Sequence, residues 1–244
     1  MAAAVVTVAG TRFAGGGGSL TQNITVSGTN PVLIVHVTAQ SIFDDSQFGT
    51  AVSWSLGGSL TKVAQKRNTV DGVDALVQTW VLAAPSAGAG TVTVTFNVAG
   101  SARDCHIIAE VWSGADQSNP CPVGDVIQKD TNESPSTATP TNLVTGDATS
   151  SVACATGGGI SGSTPETWYA NGSNPSTNAG VGYDTTGVTY TFTGLGASNH
   201  AITAVRIVGV AGGSLSDTPT VGAATLAGVA ALRVLGTLVT PTTP

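Results

Sequence analysis

The stretch GTVTVTFNVAG, residues 90–100, alternates apolar and polar side chains with a period of two. In an extended chain Val92, Val94 and Phe96 lie on one side, and the threonines between them lie on the other. This alternation is typical of an antiparallel strand with one buried face and one face in water. The stretch therefore predicts a sheet that packs on a core through one side.

Comparable stretches occur along most of the chain. NPVLIVHVTAQ (30–40) is almost continuously apolar and predicts a central strand, whereas AVSWSLGG (51–58) alternates, with Val52, Trp54 and Leu56 expected on one face. Further strands are predicted at 74–83, 150–158, 187–194 and 199–211, with loops at 114–122, 130–142 and 159–180. Strands at this spacing, without helical periodicity between them, predict an all-β fold: an antiparallel β-sandwich or jelly roll.

Composition agrees with an all-β fold and indicates how the chain is divided. Only 9% of the residues are charged, against about 25% in an average soluble domain. We expect the sandwich to span residues 20–211. The GGGGS sequence makes residues 1–19 a predicted flexible arm. Residues 212–244 form a predicted apolar extension that packs on the domain or on a neighbouring subunit.

Charge and hydropathy argue against nucleic-acid and membrane partners. The net charge is −6, and the basic residues are scattered rather than clustered as phosphate binding requires. The apolar segment 221–239 contains Arg233 and three glycines, so no transmembrane helix is predicted. The amino terminus lacks the basic and apolar regions of a secretory signal, so classical export is not expected.

The densest group of chemically reactive residues is DCHIIAEVWSGADQSNPC, residues 104–121. On a strand, Cys105 and His106 point to opposite faces, and His106 and Glu110 are roughly 13 Å apart. Zinc sites usually have closer ligand pairs. We therefore predict a strand with Cys105 in the core, followed by a turn, and no metal or cofactor site. With an odd number of cysteines, three, we expect reduced thiols rather than a disulfide framework.

Sequence patterns for an enzyme are equally weak. No GxSxG nucleophile motif stands out, and His36 and His200 fall within predicted strands. The acidic residues, Asp116 among them, fall mostly in predicted loops, where Ca²⁺ binding is an alternative to solvated turns. The prediction is a protein without catalytic residues.

One segment has the residue types that contact sugars. PETWYANGSNP, residues 165–175, places Trp168 and Tyr169 beside a polar loop. Sugar rings stack on exposed aromatic side chains, so these two residues are the candidate glycan or surface contacts. The alternative is that Trp168 packs at the edge of the sandwich.

Three pieces, in their order along the chain, resemble a known family. SLGGSLTKV (55–63), WVLAAPSAGAGTVTVTF (80–96) and VWSGADQSNP (111–120) are similar to segments of β-sandwich domains found in structural proteins of tailed phages and in bacterial surface or secreted proteins. The resemblance covers about residues 23–210. It implies a sandwich fold and no shared catalytic residues.

The resemblance implies a structural or adhesive role. The leading expectation is a capsid decoration protein of a tailed bacteriophage, assembled in the host cytoplasm and located on the virion. Its expected partners are the major capsid protein or other virion subunits, and further copies of itself in a homo-oligomer. The alternatives are a tail or head-fibre subunit and a carbohydrate-binding module whose partner is a host glycan.

Overall fold

The structure is a computed structural model, and the residues that it describes lie within one compact unit, Met1–Gly212. The described residues are 2–14, 18–40, 49, 51–68, 75–96, 104–125, 127–131, 136–138, 140, 142–156, 162–164, 168–174, 177–184, 190–193 and 200–210. They include one short 3-10 turn, Val123–Asp125, and no α-helix. No helix among them is long and apolar enough to cross a membrane. The segment 221–239 lies outside the described residues.

The described residues form sixteen strands. The first eight are β1 (Ala4–Ala14), β2 (Ser19–Val26), β3 (Val32–Gln40), β4 (Ala51–Trp54), β5 (Thr61–Asn68), β6 (Ala75–Ala83), β7 (Gly88–Thr95) and β8 (Asp104–Ser113). The remainder are β9 (Ile127–Thr131), β10 (Ser136–Ala138), β11 (Ala148–Thr156), β12 (Gly162–Thr164), β13 (Trp168–Asn174), β14 (Thr177–Asp184), β15 (Tyr190–Thr193) and β16 (His200–Ile207).

The first eight strands build an antiparallel sandwich. A five-stranded central sheet has the order β1-β8-β3-β6-β5, and a three-stranded front sheet has the order β2-β7-β4. Along the chain, β1 to β4 alternate between the two sheets, and β7 and β8 do so again. This is the winding of a jelly roll. The predicted all-β sandwich is confirmed.

The core of the sandwich lies between the central and front sheets. The front sheet contributes the inward members of its alternating strands, among them Ile24, Trp54, Val92 and Val94, all at most 5% exposed. The central sheet contributes every second residue of β3 and β8, together with Leu76 and Trp80 of β6. The predicted buried faces are thus confirmed for Val52 and Trp54 of β4 and for Val92 and Val94 of β7. Leu56 was predicted on the buried face but is 42% exposed, because the strand ends at Trp54 and a turn follows.

The other face of the central sheet is covered as well. A five-stranded back sheet, in the order β13-β14-β11-β16-β9, packs on it through β11 and β16. Two apolar clusters lie in this second interface, and both combine residues of the two sheets. A three-stranded side sheet, in the order β10-β15-β12, adjoins β9, β14 and β16. Burial on both faces explains why β3 is almost continuously apolar.

The N-terminal segment differs from the predicted arm. Residues 4–14 form the edge strand β1, which pairs antiparallel with β8 from Ala4↔Ser113 to Ala14↔Asp104. Ala3 is fully buried, and its N–H donates to the Gly146 carbonyl. The arm is therefore part of the central sheet over most of its length. The predicted C-terminal extension, 212–244, lies outside the described residues.

Two of the predicted loops contain strands. β10 lies within residues 130–142, and β12, β13 and the first half of β14 lie within 159–180. Their Gly, Asn and Ser residues have low strand propensity, so no local pattern marks them. Cross-strand pairing supplies the order instead, because β14 pairs with β11 along eight residues. The loop prediction for 114–122 agrees with the structure, apart from an isolated bridge between Ala115 and Gly209.

Candidate functional site

β8 contains the first ten residues of the stretch 104–121, and its side chains alternate between the two faces of the central sheet as predicted. Cys105 is fully buried in the core between the central and front sheets. Ile108 and Trp112 belong to the clusters on the opposite side, against the back sheet. His106 and Glu110 alternate with the core-facing residues of β8 and are also fully buried. The face of β8 that carries His106 and Glu110 is therefore an internal interface between two sheets.

A polar belt crosses this interface between the apolar clusters. We define it as His36, Thr79, Glu110, Ser150 and Thr203, all without exposed surface. His36 Nε2 lies 2.9 Å from Ser150 Oγ, and His36 Nδ1 lies 3.0 Å from Thr79 Oγ1. Thr79 Oγ1 in turn lies 2.9 Å from Thr203 Oγ1. The imidazole thus joins β3 and β6 of the central sheet to β11 and β16 of the back sheet.

Glu110 completes the belt from β8. Its Oε2 accepts a hydrogen bond from the Trp112 indole N–H at 2.8 Å. Its Oε1 has no hydrogen-bond partner among the described residues and lies 3.6 Å from His36 Nε2. A buried carboxylate is costly unless neighbours compensate it. The Trp112 indole N–H satisfies Oε2 in this way, and the His36 imidazole is the basic group that lies against Oε1.

The belt contains the residue types of a hydrolase triad in a different geometry. In such a triad the serine and the carboxylate contact opposite nitrogens of the imidazole. Here Ser150 and Glu110 both face Nε2, and Nδ1 faces a threonine. All of these groups are also closed off from solvent. The arrangement connects two sheets rather than presenting a nucleophile to a substrate.

The other histidines are buried near the same interface. His106 Nδ1 lies 3.2 Å from Thr38 Oγ1, across the β3–β8 pair. His200 lies on β16, and its carbonyl accepts a hydrogen bond from Asn68 Nδ2 at 3.1 Å. All three histidines of the chain are therefore inside the fold.

The cysteines are free and buried. Burial raises the pKa of the Cys121 thiol far above its ordinary value, and the nearby Glu110 carboxylate adds to the increase. A thiol in this setting is a poor nucleophile. Cys154 contacts the Ala39 carbonyl through Sγ at 3.7 Å. Among the described residues, no group of three or more His, Cys, Asp or Glu side chains could hold a metal ion.

Two described carboxylates stabilise turns. Asp116 Oδ1 accepts hydrogen bonds from the Ser118 hydroxyl and the Ser118 and Asn119 amides, which lower its pKa. Asp147 Oδ2 accepts from Arg206 Nε at 2.6 Å and from the Val144 amide at 2.9 Å. Its Oδ1 accepts from the Gly209 amide. Both carboxylates accept from a backbone amide of their own turn, as acidic residues in turns commonly do. Asp147 also links this turn to Arg206 and Gly209, which lie about 60 residues further along the chain.

Trp168 and Tyr169 begin β13, the outermost strand of the back sheet. Their backbone partners across the β13–β14 pair are Gly182 and Val181. Their side chains lie outside the described part of the structure, so their role as glycan contacts remains a prediction.

The exposed face of the front sheet carries a shallow groove that the sequence patterns do not single out. It has a volume of about 410 Å³ and is lined by Asn23, Ile24, Thr25, Ala89, Gly90 and Thr91. Asn23 is paired with Thr91, and Thr25 with Ala89, across the β2–β7 pair. Alternation on each strand could have placed the side chains of Asn23, Thr25, Ala89 and Thr91 outward. The register that brings them together joins residues 68 positions apart and has no local signal.

Contacts on both sides hold the polar groups of this groove. Thr91 Oγ1 donates to Asn23 Oδ1 at 2.8 Å. The Thr91 amide donates to Ser55 Oγ at 2.8 Å, and the Asn23 carbonyl accepts from Gln22 Nε2 at 2.7 Å. The site is therefore uncharged, outward-facing and fixed by its neighbours.

Comparison with protein-family models, curated proteins and solved structures found no match to this chain.

Proposed function

We propose that this chain is a structural protein of a tailed-bacteriophage virion, a capsid decoration protein that binds the outer shell without catalysis. Its partners are the major capsid protein or other virion subunits, and further copies of itself. Two findings support the proposal. One is the resemblance of the three sequence segments, and the other is the burial of the polar side chains that could otherwise form a catalytic site.

That observation is the polar belt. The His36 imidazole, the Ser150 hydroxyl and the Glu110 carboxylate are the described groups closest to a catalytic set, and all have no exposed surface. Their contacts join the central sheet to the back sheet. Residue types that hydrolases use for catalysis thus connect two sheets inside this fold. This use of the groups agrees with a protein that acts by binding.

The termini contribute unequally to this proposal. Residues 4–14 are integrated in the central sheet through β1, so their removal would disturb the fold itself. The apolar segment 212–244 is the better candidate for the contact with the shell, because an apolar sequence favours burial against another protein. We assign the contact with the shell to this segment.

Deletion of residues 213–244 tests the assignment. Purified full-length and shortened proteins are mixed with phage shells that lack the protein, and the bound fraction is measured by co-sedimentation. We expect binding of the full-length chain and loss of most binding for the shortened chain, with little change in the melting temperature of the sandwich. The melting temperature is the control for folding.

Antibody labelling of virions in negative-stain images locates the protein independently. Label distributed over the capsid surface supports a decoration protein. Label confined to the tail or to fibres contradicts the capsid assignment. Equal shell binding by the full-length and shortened chains contradicts the assignment of the shell contact to the C-terminal segment.

A further inference from the structure

The groove on the front sheet has the chemical character of a ligand site. Every residue that lines it is uncharged, and hydroxyl and amide groups alternate there with small apolar groups. Ala89 contributes only a methyl group and stands beside Thr25 and Asn23 of the neighbouring strand. This leaves a depression with a polar rim on an otherwise regular sheet face.

The Asn23–Thr91 pair gives the groove a defined hydrogen-bonding pattern. Because the Thr91 hydroxyl donates to Asn23 Oδ1, the amide is oriented with its Nδ2 group directed away from that contact. The two N–H donors of Nδ2 have no partner among the described contacts of Asn23, and Thr91 Oγ1 keeps its acceptor capacity. Donors and an acceptor are thus presented side by side.

We propose that this groove binds a neutral saccharide. A sugar hydroxyl both donates and accepts, so it can bond to Asn23 Nδ2 and Thr91 Oγ1 at once, while C–H groups of the ring contact the Ala89 methyl. Charged ligands find no counter-charge in the lining. The volume of about 410 Å³ is at the lower end of the range for small-molecule sites, with room for about one or two sugar rings.

The groove is open, so a single site binds weakly and multivalent display increases the apparent affinity. Linked copies make each further binding event intramolecular, which can raise overall affinity by about 10²–10⁴. A protein present in many copies on a particle has this property. The saccharide site does not rest on the proposed shell binding, because it lies on the front sheet and not on the C-terminal segment.

A glycan microarray with neutral and acidic glycans tests the site, using full-length protein displayed multivalently on beads. Asn23→Asp keeps an oxygen for the Thr91 hydroxyl but removes both N–H donors. Thr91→Val removes the hydroxyl and keeps the shape. We expect binding to neutral glycans, reduced about tenfold or more by either substitution. Thr93→Val, on the same strand and face outside the groove, is the matched control and should bind as the unmodified protein does.

Several results would overturn the saccharide site. These are no binding to any glycan, binding to acidic glycans only, and retention of binding in both Asn23→Asp and Thr91→Val while their melting temperatures are unchanged. Loss in Trp168→Ala alone would also overturn it and place the sugar contact on β13. Co-sedimentation of the same variants with phage shells separates the two proposals, because groove substitutions leave shell binding intact.

Discussion

Glu110 lies in the middle of β8 without exposed surface, and its two carboxylate oxygens face different neighbours. Oε2 accepts from the Trp112 indole, and Oε1 faces the His36 imidazole at 3.6 Å. A buried polar group left without its partner destabilises a fold more than the bond itself stabilises it. The stability of the interface between the central and back sheets should therefore be sensitive to this side chain.

Replacement of Glu110 tests this sensitivity. Glu110→Ala leaves the Trp112 N–H without an acceptor, which costs about 1–3 kcal/mol, and creates a cavity besides. We expect a total loss of about 3 kcal/mol in the free energy of unfolding, measured by urea denaturation. Glu110→Gln, the control, keeps an amide oxygen for Trp112 and should lose less. A stability of Glu110→Ala within about 0.5 kcal/mol of the unmodified protein would show that the Glu110 side chain contributes nothing to the stability of this interface.

At this scale the sequence predicts faces but not partners. Alternation correctly separated Cys105 from His106, because strand geometry is local. It could not reveal that His36 meets Ser150, since the two are 114 residues apart and belong to different sheets. The same holds for the groove, where Asn23 and Thr91 are brought together by sheet register alone.

Among the elements, β1 shows how pairing overrides local composition. The glycines after it predict a mobile arm, yet its backbone is bonded to β8 along the strand. Without β1, β8 would become the edge of the central sheet and expose unpaired backbone groups beside a strand with buried side chains on both faces. Such an edge favours association with other chains.

Deletion of residues 2–14 tests the role of β1. Each lost ladder bond contributes about 0.5–1.5 kcal/mol, so the melting temperature should fall by about 10 °C or more. Size-exclusion chromatography should also show aggregates. Val6→Thr, at a position that is 42% exposed on the same strand, should melt like the unmodified protein. A deletion variant that stays monomeric with an unchanged melting temperature would identify the segment as a dispensable arm.

The back sheet marks the limit of prediction from element patterns. Strands such as β3 and β7 can be predicted from sequence because each has at least one buried face, and a buried face requires apolar side chains at regular positions. β13 and β14 are rich in Gly, Asn and Ser, and their order depends on pairing with β11. The expected single sandwich is for this reason a stack in which the central sheet is covered on both faces.

In the whole molecule, the central sheet belongs to two cores at once. Ile24 on β2 packs in the core towards the front sheet, and Ile207 on β16 packs in the cluster towards the back sheet. Both cores contain residues of β3, such as Leu33 and Ile34 on its two faces. Loss of either cover would expose one face of the same strands. We therefore expect the front, central and back sheets to unfold together.

Hydrogen exchange in low urea measures this coupling through a reciprocal pair of variants. Ile24→Ala and Ile207→Ala should each cost about 2–5 kcal/mol, and 2 kcal/mol corresponds to an increase of about 30-fold in exchange through global opening. If the three layers form one cooperative unit, Ile207→Ala accelerates exchange in β7 as much as in β11, and Ile24→Ala accelerates β11 as much as β7. Acceleration confined to the layer that carries the substitution would instead mean that the back sheet opens separately, as sub-global units do.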